Sequence, residues 1–120
     1  MRYLIMIFTN PSAWERMSET RRSEFGRAHM ALSEELMATG ELVVSEGLVD
    51  PALATSVSVR DGLTMTTDGP FAEAKEHLAG FYLVDCESRA RVLEIAAAVP
   101  DAAAGQVEVR PVFDRSLIER

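Results

Sequence analysis

His29 is the residue of this 120-residue chain whose type and position best suit proton transfer. Imidazole has an unperturbed pKa of about 6.5, so it takes up and releases a proton near neutral pH. His29 shares one helical stripe with Phe25 and Leu32, which predicts that its side chain faces inward. Two interpretations stay open: a core histidine with satisfied hydrogen bonds, or an acid–base group in a pocket between sheet and helices.

Two carboxylates, Asp68 and Glu46, are the candidate partners of this histidine. Asp68 begins the segment Asp68-Gly69-Pro70-Phe71, and the structural interpretation of that segment is a turn. Asp starts turns, Gly supplies positive φ, Pro fixes the next residue, and Phe71 would then fill the core. The functional interpretation directs Asp68 into the pocket, where it orients His29 or takes a proton. Glu46 follows a short predicted strand and has the same two interpretations.

The residues around this turn are the candidate ligand contacts. Lys75 and Glu76 lie on a predicted helical face, which is usually solvated but can also line a pocket mouth or pair across a subunit interface. We expect His29 and Asp68 to be catalytic. We expect the substrate to contact a second set of residues, namely Glu46, Gly69, Pro70, Phe71, Lys75 and Glu76.

The composition excludes several other kinds of site. Lys and Arg number 12 against 19 Asp and Glu, and the net charge of −7 disfavours a nucleic-acid-binding surface. One cysteine and two scattered histidines cannot supply the roughly four Cys or His ligands of a structural zinc site. No Gly-x-Gly pair marks a dinucleotide or phosphate loop. We therefore expect no metal and no cofactor.

The sequence contains no segment that predicts a membrane span or a secretion signal. The longest strongly apolar run, residues 3–8, is far shorter than the roughly 20 residues of a membrane-spanning helix. No small-residue cleavage pattern follows it. The length fits one domain over residues 1–120, with 114–120 as a tail, and the expected location is the cytoplasm.

Short apolar runs and alternating patterns predict six strands, at residues 3–8, 42–45, 56–60, 63–67, 80–85 and 106–112. The third and fourth strands flank Asp61-Gly62, a dipeptide typical of a tight hairpin because its turn needs positive φ.

Longer periodic segments predict two helices. The first runs over residues 18–39 and ends at Gly40; the second runs over residues 88–99 and stops before Pro100, with Leu93, Ala96 and Ala97 inward. Short helical turns are predicted at residues 12–15 and 71–78.

The order of these elements predicts an α+β fold. Two strand–helix–strand halves with an inserted hairpin form the ferredoxin-like, split arrangement. Two helices cover one face of such a sheet, yet residues 3–8 and 80–85 are apolar on both faces. A second copy of the chain is the simplest cover for the other face, so the pattern predicts a homodimer.

One ordered motif resembles a known family. The motif consists of Asp68-Gly69-Pro70-Phe71, Glu73-Ala74-Lys75-Glu76 and Gly80-Phe81-Tyr82, and it resembles the signature of the DGPF proteins, a branch of the YCII-related group. The resemblance covers residues 1–113, and Ala74 replaces the Thr of many relatives.

This resemblance implies a dimeric α+β barrel in which two ferredoxin-like sheets pack face to face. The wider group has been suggested to contain enzymes that use a His with a nearby Asp, and His29 keeps that group's spacing to Gly40. Some members are encoded beside or fused to extracytoplasmic-function sigma factors. The expected function is therefore a small-molecule-binding, cofactor-free acid–base protein, with a regulatory or protein-interaction module as the alternative.

Overall fold

The computed structural model describes residues 1–71, 75–104 and 106–117. The strands of this part of the chain are β1 (Arg2–Thr9), β2 (Leu42–Gly47), β3 (Thr55–Arg60), β4 (Leu63–Asp68), β5 (His77–Asp85) and β6 (Val107–Pro111). Its α-helices are α1 (Pro11–Glu15), α2 (Glu19–Ala38) and α3 (Arg89–Ala98). The predicted strands and the two long helices are thus confirmed, with ends that differ by a few residues.

The main sheet has four antiparallel strands in the order β2-β5-β1-β6, and β3 pairs with β4 in a separate two-stranded sheet. The two strand–helix–strand halves, β1-α2-β2 and β5-α3-β6, interleave so that their first strands lie side by side. This α+β arrangement is consistent with the predicted ferredoxin-like order and its inserted hairpin.

Local capping explains where α2 begins and ends. The Ser18 hydroxyl accepts a hydrogen bond from the Arg21 main-chain N–H at 3.1 Å, which satisfies one of the unpaired donors of the first turn. Gly40 follows the helix with φ +79°, a conformation that glycine adopts without strain. The 20-residue helix buries Leu32 and Leu36.

The core lies between the main sheet and the two long helices, and its strand members alternate as a half-buried sheet requires. The predicted inward stripe of α3 is wrong in two positions, because Leu93 and Ala97 are exposed while Val92 and Ile95 are buried with Ala96. The last half of α3 is apolar except for Glu94, so periodicity alone does not select the face that packs.

The opposite face of the main sheet carries half-buried apolar side chains in the described part of the chain. They lie at alternating positions of the two central strands, at Leu4, Met6, Phe8, Phe81 and Leu83. Neither of the two long helices covers them, since both pack on the core face.

The hairpin of β3 and β4 has the predicted tight turn. Asp61 and Gly62 have φ of +50° and +76°, the positive values of the turn type that matches strand twist. Its base is joined by a hydrogen bond from the Gly69 N–H to the Ala54 carbonyl at 2.7 Å. Along the hairpin, Val57, Val59 and other apolar side chains are exposed.

The two short helical turns come out differently. α1 begins one residue before the predicted Ser12, because Asn10 caps it and accepts from the Ser12 N–H at 3.0 Å, with Pro11 in the first turn. The prediction for residues 71–78 falls partly on residues 72–74, which lie outside the described residues; β5 already begins at His77.

Candidate functional site

Both ring nitrogens of His29 are held by side chains that lie far away in sequence. Nε2 lies 2.8 Å from Oδ1 of Asp101, and Nδ1 lies 2.6 Å from the hydroxyl of Tyr82. The His29 side chain is 25% exposed, whereas its two partners are buried. We call His29, Asp101 and Tyr82 the His29 cluster. It lies between α2, β5 and the end of α3.

Asp101 is a buried charged residue at the end of α3. It follows Pro100, which stops the helix, and lies in a short 3-10 turn spanning Pro100–Ala104. With only 4% of its surface exposed, its carboxylate has little contact with water and depends on the imidazole as a partner. A carboxylate accepts hydrogen bonds only, so Nε2 donates and the tautomer of His29 is defined.

Tyr82 completes the cluster from the sheet. Burial raises its pKa above the ordinary value of 10.0, the negative charge of Asp101 adds to that rise, and a hydrogen bond with Ser33 opposes it. The phenol therefore keeps its proton at neutral pH and donates to the lone pair on Nδ1. The main-chain carbonyl of His29, 3.4 Å from the hydroxyl, is a second acceptor.

These contacts accommodate both protonation states of His29. In the neutral ring, Nε2 donates to Asp101 and Nδ1 accepts from Tyr82. In the imidazolium ring, Nδ1 donates to the Tyr82 oxygen, and the phenol hydrogen turns to the His29 carbonyl. Neither state leaves a buried polar atom of the cluster without a hydrogen-bond partner.

Aromatic rings pack against the imidazole of His29. Phe25 meets the imidazole edge-to-face, with ring centroids 5.0 Å apart, and Tyr82 stacks on it at 5.9 Å. Trp14 in turn meets Phe25 at 6.4 Å. We call these four rings, Trp14, Phe25, His29 and Tyr82, the aromatic row.

The carboxylates expected beside His29 lie elsewhere. Asp68 is the exposed last residue of β4 in the hairpin sheet, and Glu46 is an exposed residue of β2 opposite Phe81. The partner is Asp101 instead. The one local signal for Asp101 was the helix-stopping Pro100 before it, but the sequence does not show which residue of α2 that helix end meets.

The turn after β4 has the backbone geometry expected from its glycine, but Phe71 does not pack as expected. Gly69 has φ +95°, as predicted. Phe71, in contrast, is 84% exposed and does not fill the core.

The remaining ligand-contact candidates are on the surface. Pro70 and Lys75 are exposed, and the Glu76 carboxylate accepts a hydrogen bond from the Gln106 amide at 3.0 Å. Their roles, like that of Asp68, stay predictions.

Two cavities of the described chain lie away from the His29 cluster. One of about 520 Å³ lies near the start of α3, between Met1, Tyr3, Ser88 and Leu93 among others. A smaller one, of about 160 Å³, lies beside Arg91. The exposed quarter of the His29 side chain lies at the surface of the single protomer.

Two further observations concern the classes excluded above. Within residues 1–71, 75–104 and 106–117, no three His, Cys, Asp or Glu side chains are grouped so that they would hold a metal ion. Among the helices described there, none is both long and apolar enough to cross a membrane.

The fold and the cluster define a small α+β protein with a histidine–aspartate dyad at the sheet–helix boundary. Residues 1–116 match the model of the YCII-related domain, so the chain belongs to the YCII-related family. The chain is also similar to the uncharacterized protein R00369 of Rhizobium meliloti: the two are 32% identical over 114 residues, which cover 93% of this chain and 92% of that protein.

Proposed function

We propose that this protein binds a small molecule at the exposed side of His29 and transfers a proton without a cofactor. The observation that carries the proposal is the contact between the buried Asp101 carboxylate and Nε2 of the partly exposed His29, at 2.8 Å. A base oriented by a carboxylate is a common arrangement for general acid–base catalysis. Asp101 holds the tautomer that leaves Nδ1 basic, and its negative charge faces the ring when the second proton arrives.

The site opens by a change of partner at Nδ1. The Tyr82 hydroxyl occupies this nitrogen at rest, and its alternative acceptor is the His29 carbonyl. When the phenol turns to that carbonyl, Nδ1 becomes available to the acidic group of a ligand. Tyr82 thus controls access to Nδ1. After proton transfer, its hydroxyl oxygen accepts a hydrogen bond from the protonated Nδ1.

We propose further that two copies of the chain pack through the open face of the main sheet, in the cytoplasm. Leu4 and Met6 share that face with Arg110 and Glu108, their partners in register on β6. A two-fold axis requires a self-complementary surface, and this face offers an apolar centre with charges of both signs beside it. Face-to-face packing of this kind would give the dimeric α+β barrel.

Sedimentation tests the dimer. We expect a dimer at micromolar concentration, with an interface of more than about 1,000 Å² in total. Leu83→Glu, on the open face, should give a monomer, whereas Leu93→Glu, on the exposed side of α3, should leave the dimer intact. A monomeric wild-type chain would contradict this part of the proposal.

Hydrogen–deuterium exchange tests the chemistry. The chain would be incubated in deuterium oxide with phenylpyruvate, acetoacetate and similar enolisable carbonyl compounds, and exchange at the carbon next to the carbonyl would be followed by proton NMR. His29→Gln and Asp101→Asn should each lower the rate about 100-fold, the usual scale of general base catalysis. Glu46→Gln is the matched control and should keep the rate. Exchange no faster than in buffer for every compound would contradict the proposal.

A second candidate is the regulatory or interaction module, and the exposed hairpin favours it. Isolated two-stranded hairpins are marginally stable in water, yet Val59 and Leu63 near the turn are exposed. An extracytoplasmic-function sigma factor encoded nearby would be mixed with the chain and analysed by gel filtration. A complex that Val59→Asp abolishes, with no exchange activity, would favour this function over the first.

A further inference from the structure

The aromatic row connects the His29 cluster to the surface of the protomer. Its outer ring, Trp14, lies on α1 and is 46% exposed, although Phe25 packs against it. Phe25 carries the contact inward to the imidazole. An aromatic surface thus continues from solvent to the partly exposed side of His29.

Trp14 is held in place by a charged side chain. The Arg22 guanidinium lies 5.3 Å from the centroid of the indole, within the range of a cation–π contact. The same guanidinium donates to the Trp14 carbonyl through Nε and Nη2, at 3.1 and 2.9 Å, and to the Glu15 carbonyl at 3.1 Å. It therefore caps the carbonyl end of α1 and orients the ring at once.

This combination points to binding rather than to packing. A tryptophan that serves the core is mostly buried, because burial of its large apolar surface is what stabilises the fold. Trp14 instead keeps nearly half of its surface in water, on a five-residue helix without buried residues. Arg22 holds the main chain at Trp14 and Glu15 by hydrogen bonds and places its guanidinium against the indole. An aromatic surface that is ordered in this way binds a flat ligand with little loss of conformational entropy.

We propose that Trp14 and Phe25 are the specificity-determining residues of the His29 site, and that they select a planar, conjugated small molecule bearing an acidic O–H or C–H group. The inference rests on the proposed function, since it takes the His29 cluster as the base. Stacking on the rings places the flat part of the ligand, and the acidic group then reaches the imidazole edge. A saturated ring of the same size loses the stacking geometry.

A matched pair of probes tests this selection. β-Naphthol is planar and acidic, and β-decalol is its fully saturated analogue. Trp14 is the single tryptophan of the chain, so its indole N–H gives one assignable NMR signal. We expect β-naphthol to shift both this signal and the imidazole signals of His29, and to bind about fivefold to tenfold more tightly than β-decalol.

Two variants separate stacking from simple hydrophobic contact. Trp14→Leu keeps an apolar side chain and should remove the preference for β-naphthol, while Trp14→Phe should retain most of it. Arg22→Lys keeps the charge but loses the forked contact, so it should weaken the preference without abolishing binding. If Arg22→Lys changes the affinity for both probes by the same factor, the preference for β-naphthol is unchanged. That result would contradict an orienting role of Arg22.

The outcomes distinguish this inference from the proposed function. Equal affinity of the two probes, unchanged preference in Trp14→Leu, or a Trp14 shift without a His29 shift would each overturn the selection of planar ligands. If the protein does not accelerate deuterium exchange next to the carbonyl group of any compound tested, the acid–base function is overturned instead, whatever the result with β-naphthol. Folding of each variant would be checked by the dispersion of its remaining NMR signals.

Discussion

Two polar clusters connect α3 with the rest of the protomer, and they differ in whether their charge can change. At the first turns of α3, Arg91 donates to both carboxylate oxygens of Glu41 at 2.9 and 2.8 Å, and to Glu94 at 3.1 Å; we call these three residues the Arg91 cluster. Beyond the other end of the helix, Asp101 meets His29.

The Arg91 cluster has a fixed charge distribution. The bond from Arg91 lowers the pKa of Glu41, with burial opposing that change, and the two carboxylates raise the pKa of the guanidinium. Glu41 and Arg91 are therefore charged across the physiological range, which suits a structural tie between α3 and the start of β2. Because an arginine stays protonated near neutral pH, it does not release a proton there and is not a general acid or base.

In the His29 cluster, an imidazole is the partner of the buried carboxylate, as the Arg91 guanidinium is the partner of Glu41 in the other cluster. A buried carboxylate and a buried phenol hold a group that titrates near neutral pH in its unperturbed form, and the phenol has two acceptors to choose from. The comparison shows what distinguishes a structural anchor of a helix from a candidate site. The anchor contains Arg91, whose charge is permanent, whereas the candidate site contains a partly exposed histidine.

The largest effect is expected for Asp101→Ala. It removes a buried acceptor and leaves the Nε2–H of His29 unpaired, so the free energy of unfolding should fall by about 2–3 kcal/mol. Urea unfolding followed by circular dichroism measures this. Glu94→Ala, the exposed member of the Arg91 cluster, is the control and should change stability far less; equal losses in both variants would contradict the contrast between the clusters.

A smaller effect is expected for Tyr82→Phe, which deletes one buried hydroxyl and should cost about 1 kcal/mol at neutral pH. Because the folded chain raises the pKa of Tyr82, the unfolded chain loses this proton first. The contribution of Tyr82 to the free energy of unfolding should therefore be fully present below the unfolded-state pKa of about 10. It should decrease as the pH rises above that value.

Thermal unfolding across that alkaline range tests the assignment. Tyr82→Phe should lose less stability than the wild type as the pH increases. Parallel alkaline curves for the wild type and Tyr82→Phe would show that this phenol does not contribute.

The smallest effect is expected for Glu41→Gln in the Arg91 cluster. The folded-state pKa of Glu41 is lowered, so its contribution is present above the ordinary value of 4.5 and disappears as the pH falls through the folded value. The wild type should be more stable than Glu41→Gln at pH 7, and the difference should vanish in acid. A difference that persists at about pH 2 would have to come from packing rather than charge.

Local rules determine much of the fold from the sequence alone. Ser18 and Gly40 delimit α2, and Asp61-Gly62 turns the hairpin, because caps and positive φ depend on one residue and its near neighbours. The same rules placed His29 on the inward stripe of its helix, where the structure has it half-buried.

The partners of His29 were decided only by the tertiary structure. In the sequence, Asp101 is separated from His29 by 72 residues and Tyr82 by 53 residues. No local sequence pattern indicates that either residue meets His29. The contact with Asp101 depends on how α3 is rotated and where its end meets α2. Apolar residues lie on more than one face of α3, so packing against the sheet selects that rotation. Asp68, favoured because it begins a turn, was carried away from His29 by the hairpin, whose direction is likewise set outside its own sequence.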